Sequence, residues 1–443
     1  MSAAPSMSQL RRDLRSALGD GVGYSAMVGL GETFVSAFAL AVGVGEVAAG
    51  LLSTVPLVAG ATLQLVAPWG VARLGSLRRW VVACATIQGL SFLPLVAAAL
   101  RGSCSAPLLF LVMSVYWAAG LSAGPSWNAW MEVLVPARLR PTFFAQRGRA
   151  CHLATLTALG VAAAVLHLGA RLSAPLQAFA ALFAAAGLAR LVSASFLARQ
   201  GEAAPPALAG PPLRETLRGP AGWLLGYMLT LQLAVYLAVP FFTPFMLDQL
   251  RLGYAEFTAV TATAFLARIA SLPLTARLVK RFRAERVLLA AALGVTPLSA
   301  LWVVSGSLPY LLLLQLVGGV AWGAYELTTF LLLFETIPRE RRVAMLTWFN
   351  LANSLAVVLG SLLGGALLTG LGTDRAAYLG VFVVSSGLRL LAYPLLAKVR
   401  LRARPEAALP PLRTLAVRPG AGTLDRPVTS GILESEQESG ASV

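Results

Sequence analysis

Charge is scarce in this 443-residue chain: Asp, Glu, Lys and Arg together make up 12% of it, about half the share found in a soluble globular domain. A water-facing shell cannot be assembled from so few charges, which excludes an ordinary cytosolic enzyme, a coiled coil and a disordered polymer. Cysteine and histidine are scarcer still. Cys84, Cys104 and Cys151 are the three thiols, unpaired in spacing, so neither a disulfide framework nor a metal centre is expected and buried structural thiols are the reading. His152 and His167 lie fifteen positions apart with no Cys or carboxylate at ligand spacing. The chain also lacks a Gly-x-x-x-x-Gly-Lys-Ser/Thr phosphate loop and a Gly-x-Ser-x-Gly elbow, which argues against ATP hydrolysis and serine hydrolase chemistry. Neither enzyme activity nor a cofactor is expected.

What the chain has instead is apolar length. Apolar residues make up 57% of the sequence, and the mean hydropathy is +0.75. A bilayer core about 30 Å thick takes roughly 20 apolar residues as a helix. Twelve such runs occur, at 22–42, 47–68, 80–100, 107–128, 150–169, 175–197, 222–247, 255–276, 286–305, 309–334, 343–369 and 376–397. The first begins after Arg15 and is followed directly by another, so it reads as a retained helix rather than a cleaved leader.

The charge that is present is one-sided: 35 cations against 19 anions give +16, and 33 of the cations are arginine. Such a balance invites a nucleic-acid reading, but the positions of the arginines oppose it. With both termini on one side, the segments on that side hold 28 cations, the opposite loops hold four (Arg101, Arg171, Arg251 and Arg375), and three lie inside spans. Cytoplasmic loops of membrane proteins collect Lys and Arg in this way. The expectation is therefore a multi-pass protein of the inner or plasma membrane with both termini cytoplasmic, in contact with lipid and not with nucleic acid.

Sliding the chain against itself shows an internal repeat. Gly23-Tyr24 matches Gly226-Tyr227, Arg78 matches Arg281, and Pro94-Leu95 matches Pro297-Leu298, all at one offset. Pro107 with Pro309, Pro136-x-x-x-Arg140 with Pro338-x-x-x-Arg342, and Arg190 with Arg389 follow within a few residues of it. The expected organisation is a six-helix half over 1–200, a Pro/Ala/Gly-rich linker over 201–220, a second six-helix half over 221–398 and a disordered tail over 399–443.

With these features the chain resembles the major facilitator superfamily over residues 20–397. The loop after the second span carries the family's Gly-x-x-x-Asp-Arg-x-Gly-x-Arg-Arg type of motif as Pro68-Trp-Gly-Val-Ala-Arg-Leu-Gly-Ser-Leu-Arg-Arg79. Arg73, Gly75, Arg78 and Arg79 match, while Ala72 stands where the family has Asp. The copy from Ala276 to Arg286 has Lys280 at the acidic position. The segment from Trp127 to Arg147 is similar to bacterial permeases of the superfamily. The resemblance implies an all-α membrane fold of two pseudo-symmetric six-helix halves, spans 1, 4, 7 and 10 facing a central cavity, and a cytoplasmic gating loop at Arg73, Gly75, Arg78 and Arg79.

An ionisable residue inside a span is a functional candidate by default. Glu32 in the first span and Glu326 in the tenth qualify. A carboxylic acid removed from water favours its neutral form, so either is an expected proton carrier; the competing reading is a structural hydrogen bond, to Ser36 or Thr329 one turn away. Arg190, Arg268 and Arg389 are read either as stems snorkelling to the interface or as charge partners of a Glu or an acidic substrate. Tyr116, Trp117, Trp127, Asn128, Gln232, Tyr236, Trp322 and Tyr325 are candidate cavity residues, although such stripes are also what helix packing produces. Asn350 and Asn353 read as interhelical glue, and Pro240 and Pro244 should break span 7.

The sequence thus points to a monomeric secondary active transporter that moves a small molecule by alternating access, coupled to protons. An uncoupled facilitator and a non-transporting receptor or scaffold on the same fold are the alternatives.

Overall fold

The computed structural model describes residues 7–136, 139–202, 220–336 and 342–399. The 201–220 linker, apart from its ends, and the tail beyond Val399 fall outside these residues. Among the described residues, twelve helices are long and apolar enough to cross a membrane: α1 (Ser8–Ala41), α2 (Glu46–Leu63), α3 (Leu77–Arg101), α4 (Ala106–Asn128), α5 (Gln146–Arg171), α6 (Pro175–Ala198), α7 (Ala221–Gln249), α8 (Tyr254–Val279), α9 (Ala284–Val303), α10 (Leu308–Leu333), α11 (Leu351–Leu371) and α12 (Arg375–Ala397). No β-strand occurs among the described residues.

Ten of these start and end within five residues of the hydropathy runs, while α1 and α11 agree with theirs only at the C-terminal end. α1 begins some fourteen residues before residue 22, and its extra turns bury Asp13, Ser16 and Asp20. Two acids and three arginines make that stretch read as an aqueous segment in the sequence; packing inside the bundle removes the acids from water. The helix of α11 likewise starts earlier than its apolar window, at Arg342.

Six of these helices are interrupted, namely α1, α2, α3, α7, α9 and α12, and in α1 and α7 the local reason is plain. In α1 the regular helix stops at Leu30, a 3-10 turn spans Glu32–Phe34, and the helix resumes at Val35. Gly31 marks the break because a Cβ there would lie 2.5 Å from the Phe92 ring and 2.7 Å from Ala186. The Thr33 hydroxyl donates to the freed Val28 carbonyl at 3.0 Å, so the backbone stays satisfied in the apolar interior. In α7 the regular helix ends at Tyr236, a 3-10 turn holds Pro240, and a π-helical turn spans Phe245–Gln249. Proline withdraws the amide donor that an α-helix would need there. In α12 a 3-10 turn at Leu390–Ala392 separates Arg389 from the last helical turn.

The outward surface is apolar, as lipid requires: Leu93, Leu100, Leu153, Leu188 and Val304 are all largely exposed. The interior is aromatic. Phe38, Phe92, Phe179 and Phe183 interlock in the first half, and Phe242, Phe245, Trp302, Tyr378 and Phe382 in the second. With twelve crossings, the first and last described residues lie at one end of the bundle.

At the opposite, far end the halves are in contact. The Glu46 carboxylate on α2 accepts hydrogen bonds from the Tyr378 hydroxyl on α12 and, at 3.1 Å, from the Gln249 amide on α7. Below it, a Cβ on Gly50 would stand 2.8 Å from the Pro240 carbonyl. Phe34 meets Phe257 edge-on at 6.1 Å, and Phe179 meets Tyr254 at 5.6 Å.

Candidate functional site

The break in α1 presents Glu32 to the interior, half-buried. Its carboxylate accepts a hydrogen bond from the hydroxyl of Tyr116 on α4, a neutral donor to a charged acceptor and hence a strong bond. Tyr116 is fully buried, with its ring edge-on to Phe92 at 5.6 Å and to Trp117 at 5.5 Å. Ser36, the neighbour that sequence spacing offered, is not that donor. The 3-10 turn between them rotates Glu32 out of helical register with residue 36.

In the second half Glu326 is buried on α10 and pairs with Arg268 on α8 at 3.2 Å. Thr329, also offered as its partner, turns its hydroxyl back to the Tyr325 carbonyl at 2.7 Å, as threonine commonly does inside a helix. α8 and α10 approach closely because Gly319 and Gly323 face α8, where a Cβ would stand 2.4 Å from the Ala264 carbonyl or 2.3 Å from the Ser271 hydroxyl. Two of the sequence candidates, Arg268 and Glu326, are thereby brought into one ion pair.

Snorkelling is overturned for all three arginines: Arg190, Arg268 and Arg389 are each at most 8% exposed. A guanidinium held that far from water must find partners inside the protein. Arg389 donates to the Val295 carbonyl at 2.6 Å and to the Ser299 and Ser385 hydroxyls. Arg190 is held differently. Its Nε donates to Gln88 Oε1 at 2.8 Å, one terminal nitrogen donates to Ser193 Oγ at 2.7 Å, and that nitrogen stands 3.7 Å from the Asp20 carboxylate. Asp20 also pairs with Arg147 of α5 at 3.0 Å, and Arg147 lies over the Trp127 ring at 4.5 Å. The internal repeat relates Arg190 to Arg389 but does not extend to the acid: Trp223 stands three positions before Gly226, where Asp20 stands three before Gly23.

Sequence reasoning missed Asp20, Gln88 and Arg147 as a unit. The signal was an acid within a turn of the first apolar run, opposite an intramembrane arginine in the same half.

The remaining candidates scatter. Gln232 and Tyr236 are buried on α7, and Tyr325 is buried on α10 with its ring 6.3 Å from Tyr227 and 5.5 Å from the half-buried Trp322. Trp117 packs beneath α2, where Gly60 would strike the Trp117 carbonyl if it carried a Cβ. Trp127 and the half-buried Asn128 sit at the last turn of the α4 span, toward the chain termini, with Trp127 committed to Arg147. Asn353 is half-buried on α11; the side chain of Asn350 lies outside the described residues.

Comparison with known proteins joins this geometry to a family. The family model described as Major Facilitator Superfamily matches residues 224–427. An uncharacterized MFS-type transporter of Mycobacterium tuberculosis is 31% identical over 178 residues, which is 39% of this chain and 30% of that protein's length. Among solved structures, the nucleoside transporter NupG superposes with a TM-score of 0.63 at 13% identity, over 89% of this chain and all of that one. A POT family peptide transporter gives 0.67 at 12% identity over 91% and 99%. A bacterial homologue of the human lysosomal transporter Spinster gives 0.61 at 16% over 91% and 100%. The second half of the chain is thus similar to the major facilitator superfamily, and the whole chain shares its fold with these solved transporters.

The loop between α2 and α3 departs from the superfamily motif that it resembles. Gly75 ends the helix after α2 in the left-handed conformation, φ 60°, and Ser76 caps α3 by accepting from the Arg79 amide at 3.0 Å. Arg73 is exposed over the Trp69 ring. Arg78 pairs with Glu202 at 3.2 Å and donates to the Gln200 carbonyl, while the Ser76 hydroxyl donates to Glu202 at 2.6 Å. With Ala72 in the acidic position, a carboxylate just beyond α6 meets the loop's arginine.

Proposed function

We propose that this chain is a secondary active transporter that moves a small molecule by alternating access between two rocking halves, and that Glu32 carries the coupled proton. The observation that carries this reading is the contrast between the two intramembrane glutamates. Glu32 is half-buried at a helix break with a tyrosine hydroxyl on its carboxylate, whereas Glu326 is buried and ion-paired to Arg268. Protonating Glu326 strands a buried guanidinium, which costs several kcal/mol. Protonating Glu32 weakens its hydrogen bond from the neutral Tyr116 hydroxyl, and the charge it leaves behind can be relieved at the partly exposed Arg147.

The halves, 1–200 and 221–398 joined by 201–220, are the natural rigid bodies. The Glu46–Tyr378–Gln249 contact would hold the far end shut, and the arginine distribution supports a reading in which the chain termini, and the side to which this state would open, are cytoplasmic. Tyr116, Tyr236, Tyr325 and Trp322, with few uncompensated charges, suit a neutral or amphipathic molecule. Nucleosides and peptides, the substrates named for two structural neighbours, belong in the first panel with sugars, amino acids, organic acids and amphipathic drugs.

The test is reconstitution in liposomes enclosing a pH-sensitive dye. A compound-dependent proton flux that Glu32→Gln abolishes, with exchange of labelled compound retained, is the expected result. Undiminished coupled transport in that variant would sink the assignment of Glu32, and equilibration of compound without any proton flux would make the protein a facilitator.

A further inference from the structure

Polar groups buried in the first half follow one another from Glu32 to the end of the bundle that carries the termini. The Tyr116 hydroxyl is on Glu32, and one turn further along α4 a Cβ on Gly120 would stand 2.5 Å from the amide nitrogen of Gln88 on α3. Gln88 is completely buried, accepts from Arg190 through its carbonyl at 2.8 Å, and leaves its amide nitrogen without a hydrogen bond. Arg190 lies 5.0 Å above the Tyr24 ring. It reaches Asp20 directly at 3.7 Å and through Ser193, whose hydroxyl donates to Asp20 at 2.8 Å. Arg147 closes the chain on the other oxygen of Asp20 at 3.0 Å, anchored by its donation to the Ala17 carbonyl at 2.9 Å.

The charges in this chain decide what it does. Arg190 and Arg147 are two cations; Asp20 is one anion; Glu32, when ionised, is the second. Five of the six helices of the half contribute: α1, α3, α4, α5 and α6. The other ionisable groups facing it are Tyr24 on α1, Cys84 on α3 one turn before Gln88, and Cys151 on α5 beside Gly21. In the second half the intramembrane acid Glu326 is matched by Arg268.

Resting on Glu32 as the proton carrier, we propose that Asp20, Arg190 and Arg147 are positioning residues that set the proton affinity of Glu32 and carry its protonation state to the end of the bundle nearest the termini. With Glu32 ionised the chain is neutral. When Glu32 takes a proton, one positive charge is left over in a medium of low dielectric. Of the three, Arg147 is nearest solvent, its side chain 19% exposed against 5% for Arg190 and Asp20. The excess charge is relieved by letting Arg147 leave Asp20 for water, which removes one tie between α5 and α1. Protonation in the middle of the bundle thereby loosens a helix contact at its end.

The two charge variants must act in opposite directions, which a merely structural role would not produce. The readout is the carbonyl-stretch band of a protonated carboxylic acid in infrared difference spectra of the full-length protein in liposomes, titrated with pH and assigned by its loss in Glu32→Gln. Asp20→Asn leaves two cations facing Glu32 alone, favours its ionised form, and moves the midpoint down by about one pH unit, the lower end of what a nearby charge produces. Arg147→Gln leaves Arg190 matched by Asp20 and moves the midpoint up by a similar amount. Asp20→Glu and Arg147→Lys restore the wild-type value. A band lost in Glu32→Gln but with the same midpoint in both charge variants, each eluting as folded protein, overturns this relay and leaves the transport reading standing. A band that survives Glu32→Gln overturns both.

Discussion

The Glu46 carboxylate at the start of α2 accepts a hydrogen bond from the hydroxyl of Tyr378 near the start of α12, residues 332 apart in sequence and on opposite halves of the molecule. The Gln249 amide holds the same carboxylate and reaches the Thr373 carbonyl at 3.4 Å. A hydrogen bond to a charged group contributes about 1.5–3 kcal/mol, enough to bias two states roughly tenfold or more. Tyr378→Phe keeps the ring against Phe245 and Phe382 and removes only the donor. In a background without the native cysteines, a thiol placed at Val47 should then react about ten times faster with an impermeant maleimide, following that bias. An unchanged rate would show that this contact does not hold the far end.

The Arg268–Glu326 pair should reveal itself by non-additivity. Removing one member leaves an uncompensated buried charge, a loss of about 3–5 kcal/mol. Arg268→Met and Glu326→Gln should each lower the melting temperature in detergent by several degrees, and the double variant should recover most of the loss. Additive single and double effects would mean that the two charges do not depend on each other.

Helix contact in the second half depends on glycines whose surroundings differ. A Cβ on Gly364 would stand 2.1 Å from the Leu237 carbonyl and one on Gly360 2.3 Å from the Leu233 carbonyl, whereas one on Gly370 meets nothing within 4 Å. Gly364→Ala should therefore force α7 and α11 apart and lower the melting temperature, while Gly370→Ala leaves it unchanged. Because the opposing atoms are backbone, no side-chain rotation relieves the clash.

Tyr116→Phe separates the hydroxyl from the ring. The contacts with Phe92 and Trp117 survive, but the carboxylate of Glu32 loses a donor. A hydrogen bond to the ionised form favours that form, so its loss favours the protonated acid. The pH midpoint of proton-coupled uptake should rise in this variant. A midpoint that falls or stays fixed would contradict the assigned role of the hydroxyl.

How far the sequence carries is clearest at its two ends of difficulty. Most helices were legible, because lipid demands a long apolar run wherever the backbone crosses it, and Pro240 and Pro244 announced the broken α7 by the donors they lack. α1 was legible only in part. Asp13 and Asp20 read as an aqueous boundary, yet both are buried, Asp13 against the Gly201 amide at 3.1 Å and Asp20 against two arginines. A burial that depends on partners more than a hundred residues away leaves no mark on the local hydropathy.

The candidate charges divide in the same way. Position inside the spans alone required that Glu32, Glu326, Arg190, Arg268 and Arg389 each find a partner or reach water, since an unsatisfied charge in hydrocarbon is too costly to persist. It could not name the partners. Spacing along one helix nominated Ser36 and Thr329, whereas the packing of separate helices supplied Tyr116 and Arg268. The repeat made Arg190 and Arg389 look equivalent, and the fold gave one an aspartate and the other a carbonyl and two serines. The sequence by itself determined the number of crossings, the polarity of the loops and the duplication, because each follows from transfer of local segments between water and lipid. Which buried charge meets which was decided only by the tertiary structure, because those pairings depend on helices far apart in the chain arriving at the same depth and facing one another.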